Sequence, residues 1–343
     1  MQRPQTHIDH QCSIGNVNDW QSQPKCMVLI LLLMLMSVGS QAAFFNSDVS
    51  ARAAGMGGAF VAVADDTTSV FWNPAGIAQI GHFEFASTQV AYPVETFSTQ
   101  LMAGSIPMFW NGTFALSLLQ TGAPDLYREQ TLQLTYGHDL YDWINFPLSV
   151  GLSFKRLSLS YPGADESDPL FTDGTSKAFY TLPSFGLLYR PLPNFKIAVA
   201  QDNPRPIQLS FNPDDEGYNR VNRTFRLGVA WTPNHTTLTT EVVSEKFAPT
   251  YGSRKTILRV ITTYSTQFRI GAEHWIQLSL LGSELAVRAG RSIGNYDMSS
   301  WNMGAGYRFA LSRLFSLQFD YAFSYAPTSE LGNYHRMSLL IAR

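Results

Sequence analysis

The chain has 343 residues, of which 15% are charged and 13% aromatic, and its 24 Lys and Arg against 26 Asp and Glu leave a formal net charge of −2. That balance supplies no basic footprint for a nucleic-acid partner. A high aromatic content with a mean hydropathy close to zero is the average of a transmembrane β-barrel, whose apolar and polar residues alternate.

The first element is a targeting segment. Residues 1–24 are polar and contain Pro4 and Pro24, so they read as a long n-region or as a start placed ahead of Met27, and no fold is built from them. The apolar run Met27–Val38 follows Lys25 and precedes Gly39-Ser40-Gln41-Ala42-Ala43. This is a charged flank, a core of roughly 7–15 residues and a small-residue cleavage site, the pattern of a signal peptide over 1–43. The run is short of the roughly 20 apolar residues a spanning helix needs. Cys12 and Cys26 both precede the expected cleavage, which leaves the mature chain without a disulfide or a cysteine-ligated zinc. Cys26 also stands before the apolar core, where a lipid-anchor cysteine would follow it.

Residues 44–80 are expected to form a compact plug. Small residues at Ala53, Ala54, Gly55, Gly57 and Gly58 let the backbone pack closely, and glycine takes positive φ where the chain turns tightly. Asn73-Pro74 marks a turn or a helix start. A phosphate loop is excluded because no Lys-Ser or Lys-Thr follows the glycines. Asp65 and Asp66 offer too few ligands for calcium, so they are expected to cap a helix or to pair with wall arginines.

From residue 81 to 343 the chain alternates. Phe315, Leu317, Phe319, Tyr321 and Phe323 share one face, and Ser316, Gln318, Asp320, Ala322 and Ser324 share the other. Trp301 to Phe309, Phe225 to Trp231, Leu132 to Tyr136 and Phe114 to Leu118 repeat the pattern, one face suited to lipid and one to water. Strands are predicted at 83–91, 97–106, 112–120, 129–138, 147–160, 178–190, 194–202, 222–231, 236–246, 266–275, 284–291, 301–309, 313–324 and 334–342. These amount to about fourteen, an even number as single-chain barrels require. The run 256–264 is read as a hairpin extension beyond the membrane. The fold class is therefore all-β, a transmembrane antiparallel β-barrel of about 14 strands with an N-terminal Gly-rich plug. The alternative is a soluble β-sandwich, which also alternates and also uses a signal peptide. Phe309–Arg313 and Arg190–Asn194 are tight turns of the periplasmic kind, and 162–177, 203–221 and 247–255 are long, polar loops of the external kind.

Charge on the polar phase forms a candidate lumen ladder: Arg226, Arg269, Glu273, Arg288, Arg308 and Asp320, with Glu284 nearby. An arginine facing lipid at the midplane would cost about 2–4 kcal/mol, which assigns the phase. The ladder is read as bracing the barrel, holding the plug or steering an anionic head group. Trp72, Trp110, Trp143, Trp231, Trp275 and Trp301 lie toward the ends of runs and suit interfacial girdles. His82, His138, His235, His274 and His335 are dispersed without metal-site spacing, Gly104-Ser105-Ile106-Pro107 lacks the nucleophile-elbow pattern, and neither a catalytic site nor a cofactor is expected.

Three blocks carry a family likeness. Arg52-Ala53-Ala54-Gly55-Met56-Gly57-Gly58-Ala59-Phe60, Ala64-Asp65-Asp66 and Trp72-Asn73-Pro74-Ala75-Gly76 make the first. Arg269–Trp275 with Ala286–Gly290 make the second, and Asp320–Phe323 with Glu330–Arg336 the third. Together they resemble PorV/PorQ-type outer-membrane proteins, relatives of the FadL/TodX hydrophobic-compound channels. The resemblance implies a fourteen-stranded barrel in a bacterial outer membrane with its N-terminal segment folded inside. It makes Arg52, Gly55, Gly57, Gly58, Asp65, Asp66, Asn73, Pro74, Ala75 and Gly76 the plug or gating motif. The implied activity is passage of hydrophobic or amphipathic molecules, with outer-membrane lipid and a hydrophobic ligand as partners, or, alternatively, an accessory role in protein secretion with cargo or translocon partners. The chain ends on Leu339–Arg343 without the terminal aromatic common in such barrels.

Overall fold

The structure, a computed structural model, describes residues 49–343 apart from 94–95, 109–110, 124, 166–173, 182, 206, 210–218, 248–262, 279–281, 295–298 and 327–332. The signal-peptide reading, both cysteines, Trp110 and most of the run 256–264 lie outside the described residues.

Alternating residues build strands, and the strands build one wall. In chain order they are β1 (Glu84–Ala91), β2 (Ser98–Pro107), β3 (Gly112–Ala123), β4 (Tyr127–Asp139), β5 (Leu148–Ser160), β6 (Ser176–Tyr180), β7 (Ser184–Leu192), β8 (Phe195–Asp202), β9 (Ile207–Leu209), β10 (Asn219–Val221), β11 (Arg223–Trp231), β12 (Thr236–Phe247), β13 (Thr263–Gln277), β14 (Glu284–Gly294), β15 (Ser300–Ala310), β16 (Ser316–Tyr325) and β17 (Tyr334–Ala342). Each wall strand pairs antiparallel with its neighbours, and β1 pairs with β17 from Glu84↔Ala342 to Ala91↔His335. That pairing closes the ring, so neither the first nor the last wall strand is left as an edge. β6 and β7 both pair with β5, at opposite ends of it, and so form one wall position. β9 and β10 pair only with each other. The barrel therefore has fourteen strands among the described residues, the number expected from the alternation.

The outward and inward faces are inverted relative to a water-soluble protein. Met102, Leu116, Leu134, Phe154, Leu227, Ile270, Met303 and Phe319 are exposed on the outer face. Gln133, Thr135, Ser153, Glu241, Glu273 and Asp320 are buried on the inner one. A hydrocarbon solvent makes this arrangement favourable, because the apolar side chains meet lipid and the wall strands satisfy their backbone groups by pairing with one another.

The segment Val49–Ile80 lies within the ring, where only Asp65, Ala78 and Gln79 escape full burial. Its pieces are α1 (Ala51–Gly55) and two 3₁₀ turns, Thr67–Phe71 and Pro74–Gln79. None is long enough to persist alone in water. Asp66 caps the first turn by accepting from the Thr68 amide, and Asn73 caps the second by accepting from the Ala75 amide with Pro74 at the first helical position.

Two local readings of the sequence are corrected. The expected strand 178–190 is divided into β6, which ends at Tyr180, and β7, which starts at Ser184. Tyr180 faces Arg156 and Ser184 faces Ser153, so the register on β5 shifts by one between the two pairs. The shift reverses the inward phase from Phe179 to Ser184, a change that continuous alternation hides. The expected strand 313–324 begins only at Ser316, because Ser312 Oγ accepts from the Leu314 and Phe315 amides and holds 311–315 as a turn. The hairpin β9–β10 within the loop 203–221, and the short helix α2 (Tyr141–Ile144) between β4 and β5, were not anticipated.

Candidate functional site

The site is the contact between the inner segment and the wall, and glycines shape it. Gly137 pairs with Gly151 and Gly151 with Gly186, which places three glycines side by side on β4, β5 and β7. The Asn73-Pro74-Ala75 corner rests on them. A Cβ at Gly151 would overlap the Pro74 and Ala75 backbone, and one at Gly186 would overlap Asn73 Oδ1. Asn73 also donates to the carbonyls of Val61 (3.1 Å) and Leu187 (3.2 Å). On another part of the wall, Gly271 pairs with Gly290, and the Met56-Gly57 backbone occupies the space that side chains there would fill. Gly57 itself has φ of +66°, a conformation glycine adopts without strain.

Charge links the same two bodies. Arg52 in α1 grips Glu273 on β13 through Nε–Oε2 at 2.9 Å and Nη2–Oε1 at 2.8 Å, a bidentate pair. Its remaining nitrogen, Nη1, reaches Asp65 at 2.6 Å and Asp66 at 3.1 Å. Glu273 Oε2 also accepts from Arg288 Nε at 2.7 Å, and Arg288 Nη1 donates to Asp320 Oδ1 at 2.7 Å. Gln318 then joins Asp320 (2.7 Å) to Arg308 (2.9 Å), and Arg308 reaches Glu284 at 3.1 Å. One continuous polar chain thus runs from the inner segment across β13, β14, β16 and β15. Burial pushes the Asp66 carboxyl above its usual range while Arg52 pulls it down.

The sequence candidates therefore separate into groups. Arg52, Asp65, Asp66, Glu273, Arg288, Asp320 and Arg308 are connected by these bonds. Of the two expectations for Asp65 and Asp66, capping holds for Asp66, while both pair with Arg52 of their own segment and not with a wall arginine. Arg226 instead donates to Glu241 at 2.9 Å, and Arg269 donates to the Gly58 carbonyl at 3.1 Å and to Gln267. The guanidiniums of Arg226 and Arg269 lie 5.2 and 6.0 Å from the Trp72 ring centre. Trp72 is thus an interior residue packed edge-on to Phe60, and Trp275 lies under Arg288 and Arg308. Neither belongs to the girdle in which the sequence placed it. Gly55 approaches Gly304, and Gly76 packs on Ala64, whose φ of +33° is unusual for a residue with a side chain.

Several wall residues that hold the segment were not singled out. Glu241 Oε2 accepts from both the Phe60 and Val61 amides at 2.9 Å. Glu84 accepts from the Thr67 amide at 2.8 Å, and Gln133 donates to the Val70 carbonyl at 2.7 Å. Glu241 and Gln133 lie on the inward phase of their strands, so phase was a usable signal, while the partner amide was not readable. Among the described residues no three His, Cys, Asp or Glu side chains are placed to hold a metal ion.

The interior is two-sided. Charge concentrates on β11 to β17, whereas β1, β2, β3, β7 and β8 present Val90, Leu101, Ala103, Ala115, Leu119, Leu188 and Ala198 inward. Toward the end of β5 that leads into the long loop, Leu157 and Leu159 cluster with Val221, with Tyr127, Tyr161, Phe179 and Ile207 packed against them.

No protein-family model and no curated protein matches the sequence. Solved structures do match in shape. The CymD monoaromatic hydrocarbon channel superposes with a TM-score of 0.60 at 10% identity, over 86% of this chain and 96% of that one. The Pseudomonas putida toluene transporter TodX gives 0.55 at 11% identity, covering 88% and 99%. A Pseudomonas aeruginosa FadL homologue gives 0.50 at 13% identity, covering 86% and 98%. The chain has the fold of the FadL/TodX-type barrels. At such identities the likeness is one of fold, and the PorV/PorQ likeness rests on the sequence blocks alone.

Proposed function

We propose that this protein is a passage through a bacterial outer membrane for hydrophobic or amphipathic small molecules, with the segment 44–80 as its plug. The observation that carries the reading is the inward-facing apolar cluster around Leu157 and Leu159, inside a barrel whose structural neighbours are named as hydrocarbon channels and a toluene transporter. A fully polar lumen would suit a water-filled pore; an apolar one at the loop end offers an entering molecule a surface that replaces lost hydration. In this reading the ligand is captured among Leu157, Leu159, Tyr127 and Phe179, passes the Asn73-Pro74-Ala75-Gly76 corner, and is released beyond the plug. The ladder from Arg52 to Arg308 holds the plug during passage. The loops on which a secretion-accessory role would rest lie largely outside the described residues.

Uptake of a labelled monoaromatic or long aliphatic probe by cells carrying the full chain tests the proposal. Leu157→Asp with Leu159→Asp replaces the apolar cluster by carboxylates, and a fall in uptake of at least about tenfold, equivalent to about 1.4 kcal/mol, is expected. Unchanged uptake in a correctly assembled double variant would refute it.

A further inference from the structure

The turn between β4 and β5 does not hang below the barrel as a plain hairpin loop. It contains α2, whose four residues Tyr141-Asp142-Trp143-Ile144 are all exposed. Trp143 is 66% exposed, Ile144 57% and Tyr141 51%, followed by Phe146 at 43%. An apolar aromatic turn fully open to water is costly and in a soluble protein marks a contact surface.

Where the turn packs identifies what covers it. Tyr136 and His138 lie on the outer face of β4, the face that carries Leu132 and Leu134 toward lipid. Trp143 packs on His138, with ring centres 4.3 Å apart. Tyr189 shares the outer face of β7 with Phe185 and Leu187, and Phe146 stacks on it at 5.1 Å and 10°. Trp143 and Phe146 therefore rest on the outer faces of β4 and β7, with His138 buried beneath Trp143, so the turn folds back over the outside of the wall. Asp142 is held by Asn111, and Asn145, with φ of 50°, closes the helix in the left-handed conformation that lets Phe146 return to the wall.

We propose that residues 140–146 form a membrane foot, a surface that lies in the head-group and upper acyl region of the leaflet at the end of the barrel where the N- and C-terminal strands close. Its partner is the phospholipid bilayer itself. The argument is adjacency: Trp143 on His138 and Phe146 on Tyr189 join the turn to the outer faces of β4 and β7, and indole and phenol rings favour the interface, where an apolar body meets a polar edge. A foot of this kind would fix the depth and tilt of the barrel beside the narrow β7–β8 turn. The inference rests on the membrane-spanning fold and is independent of what passes through the lumen.

Nitroxide depth measurements test it. In the full chain with Cys12→Ser and Cys26→Ser, single cysteines replace Trp143 or Ile144 and are spin-labelled. The protein is then placed in phosphatidylethanolamine–phosphatidylglycerol vesicles, and collisions with dissolved oxygen and with a water-soluble nickel chelate are compared. Labels at Leu134→Cys and Asp125→Cys serve as the lipid-facing and water-facing references. The expected result is oxygen-dominated relaxation at 143 and 144, shallower than at 134 and opposite in sign to 125. Nickel-dominated relaxation at both foot positions with a lipid signature at 134 overturns the foot alone. Nickel dominance at 134 as well overturns the membrane-spanning fold on which it rests. Protection at 143 in native membranes but not in vesicles also overturns it and assigns the surface to a protein.

Discussion

Glu273 holds two guanidinium groups at once, one from the inner segment and one from the wall. Its side chain is about 1% exposed, so no water is at hand to replace either partner. Glu273→Gln keeps the shape and removes the charge, leaving Arg52 and Arg288 undercompensated. Losing one partner of a buried pair costs about 3–5 kcal/mol; urea unfolding in micelles should show a lower midpoint at unchanged slope. Glu284→Gln is the matched comparison. Its pair with Arg308 is partly exposed, and the expected loss is at most about 1 kcal/mol. Steric fit can be examined in the same way at Gly186, where a methyl group would overlap Asn73 Oδ1. Gly186→Ala should cost about 1–3 kcal/mol as overpacking, and Asn73→Ala about 0.5–2 kcal/mol as a lost cap. Because the two changes share one contact, the double variant should lose less than the sum of the singles. Strict additivity would show that the glycine seat does not bear on Asn73.

For a strand, orientation matters more than composition. Leu134 points outward from the middle of β4 while its neighbours Gln133 and Thr135 are buried inside. Leu134→Arg should therefore weaken equilibrium folding into phospholipid bilayers by about 2–4 kcal/mol. A null effect would place that face away from lipid. Period-two alternation made the strands and their faces legible, since each inward residue has an outward neighbour of opposite character. The phase reversal between Tyr180 and Ser184 was not legible, because a register shift of one residue reverses phase without altering composition. In the inner segment the turn start at Asn73-Pro74 and the Asp66 cap were legible because they are local, whereas the wall contacts that seat the turns, such as Gln133 bonding Val70 from 63 positions away, were not. The foot at 140–146 was hidden for a related reason: the tryptophan was visible, but the surface on which it folds back was not.

At the scale of the whole molecule, closure is the distinguishing property, and it depends on the first and last wall strands finding each other. Ser87 and Leu339 face each other across β1 and β17. With Cys12 and Cys26 replaced by serine, Ser87→Cys and Leu339→Cys should form a disulfide on mild oxidation of the assembled protein, visible as a mobility change that reductant reverses. Failure to cross-link, with β16–β17 cysteine pairs linking normally, would show an open sheet. What the amino-acid order determined by itself was local and periodic: strand, face, approximate number, and a small-residue segment able to pack closely. Those properties follow from neighbouring residues and from the solvent each face must meet. The three-dimensional arrangement alone decided that the Asn73-Pro74-Ala75 corner rests on three glycines from three strands, that Arg52 and Arg288 share Glu273, and that Trp72 lies inside. Each of these contacts joins positions far apart in the chain, and their meeting depends on strand register and ring closure, which no local pattern encodes.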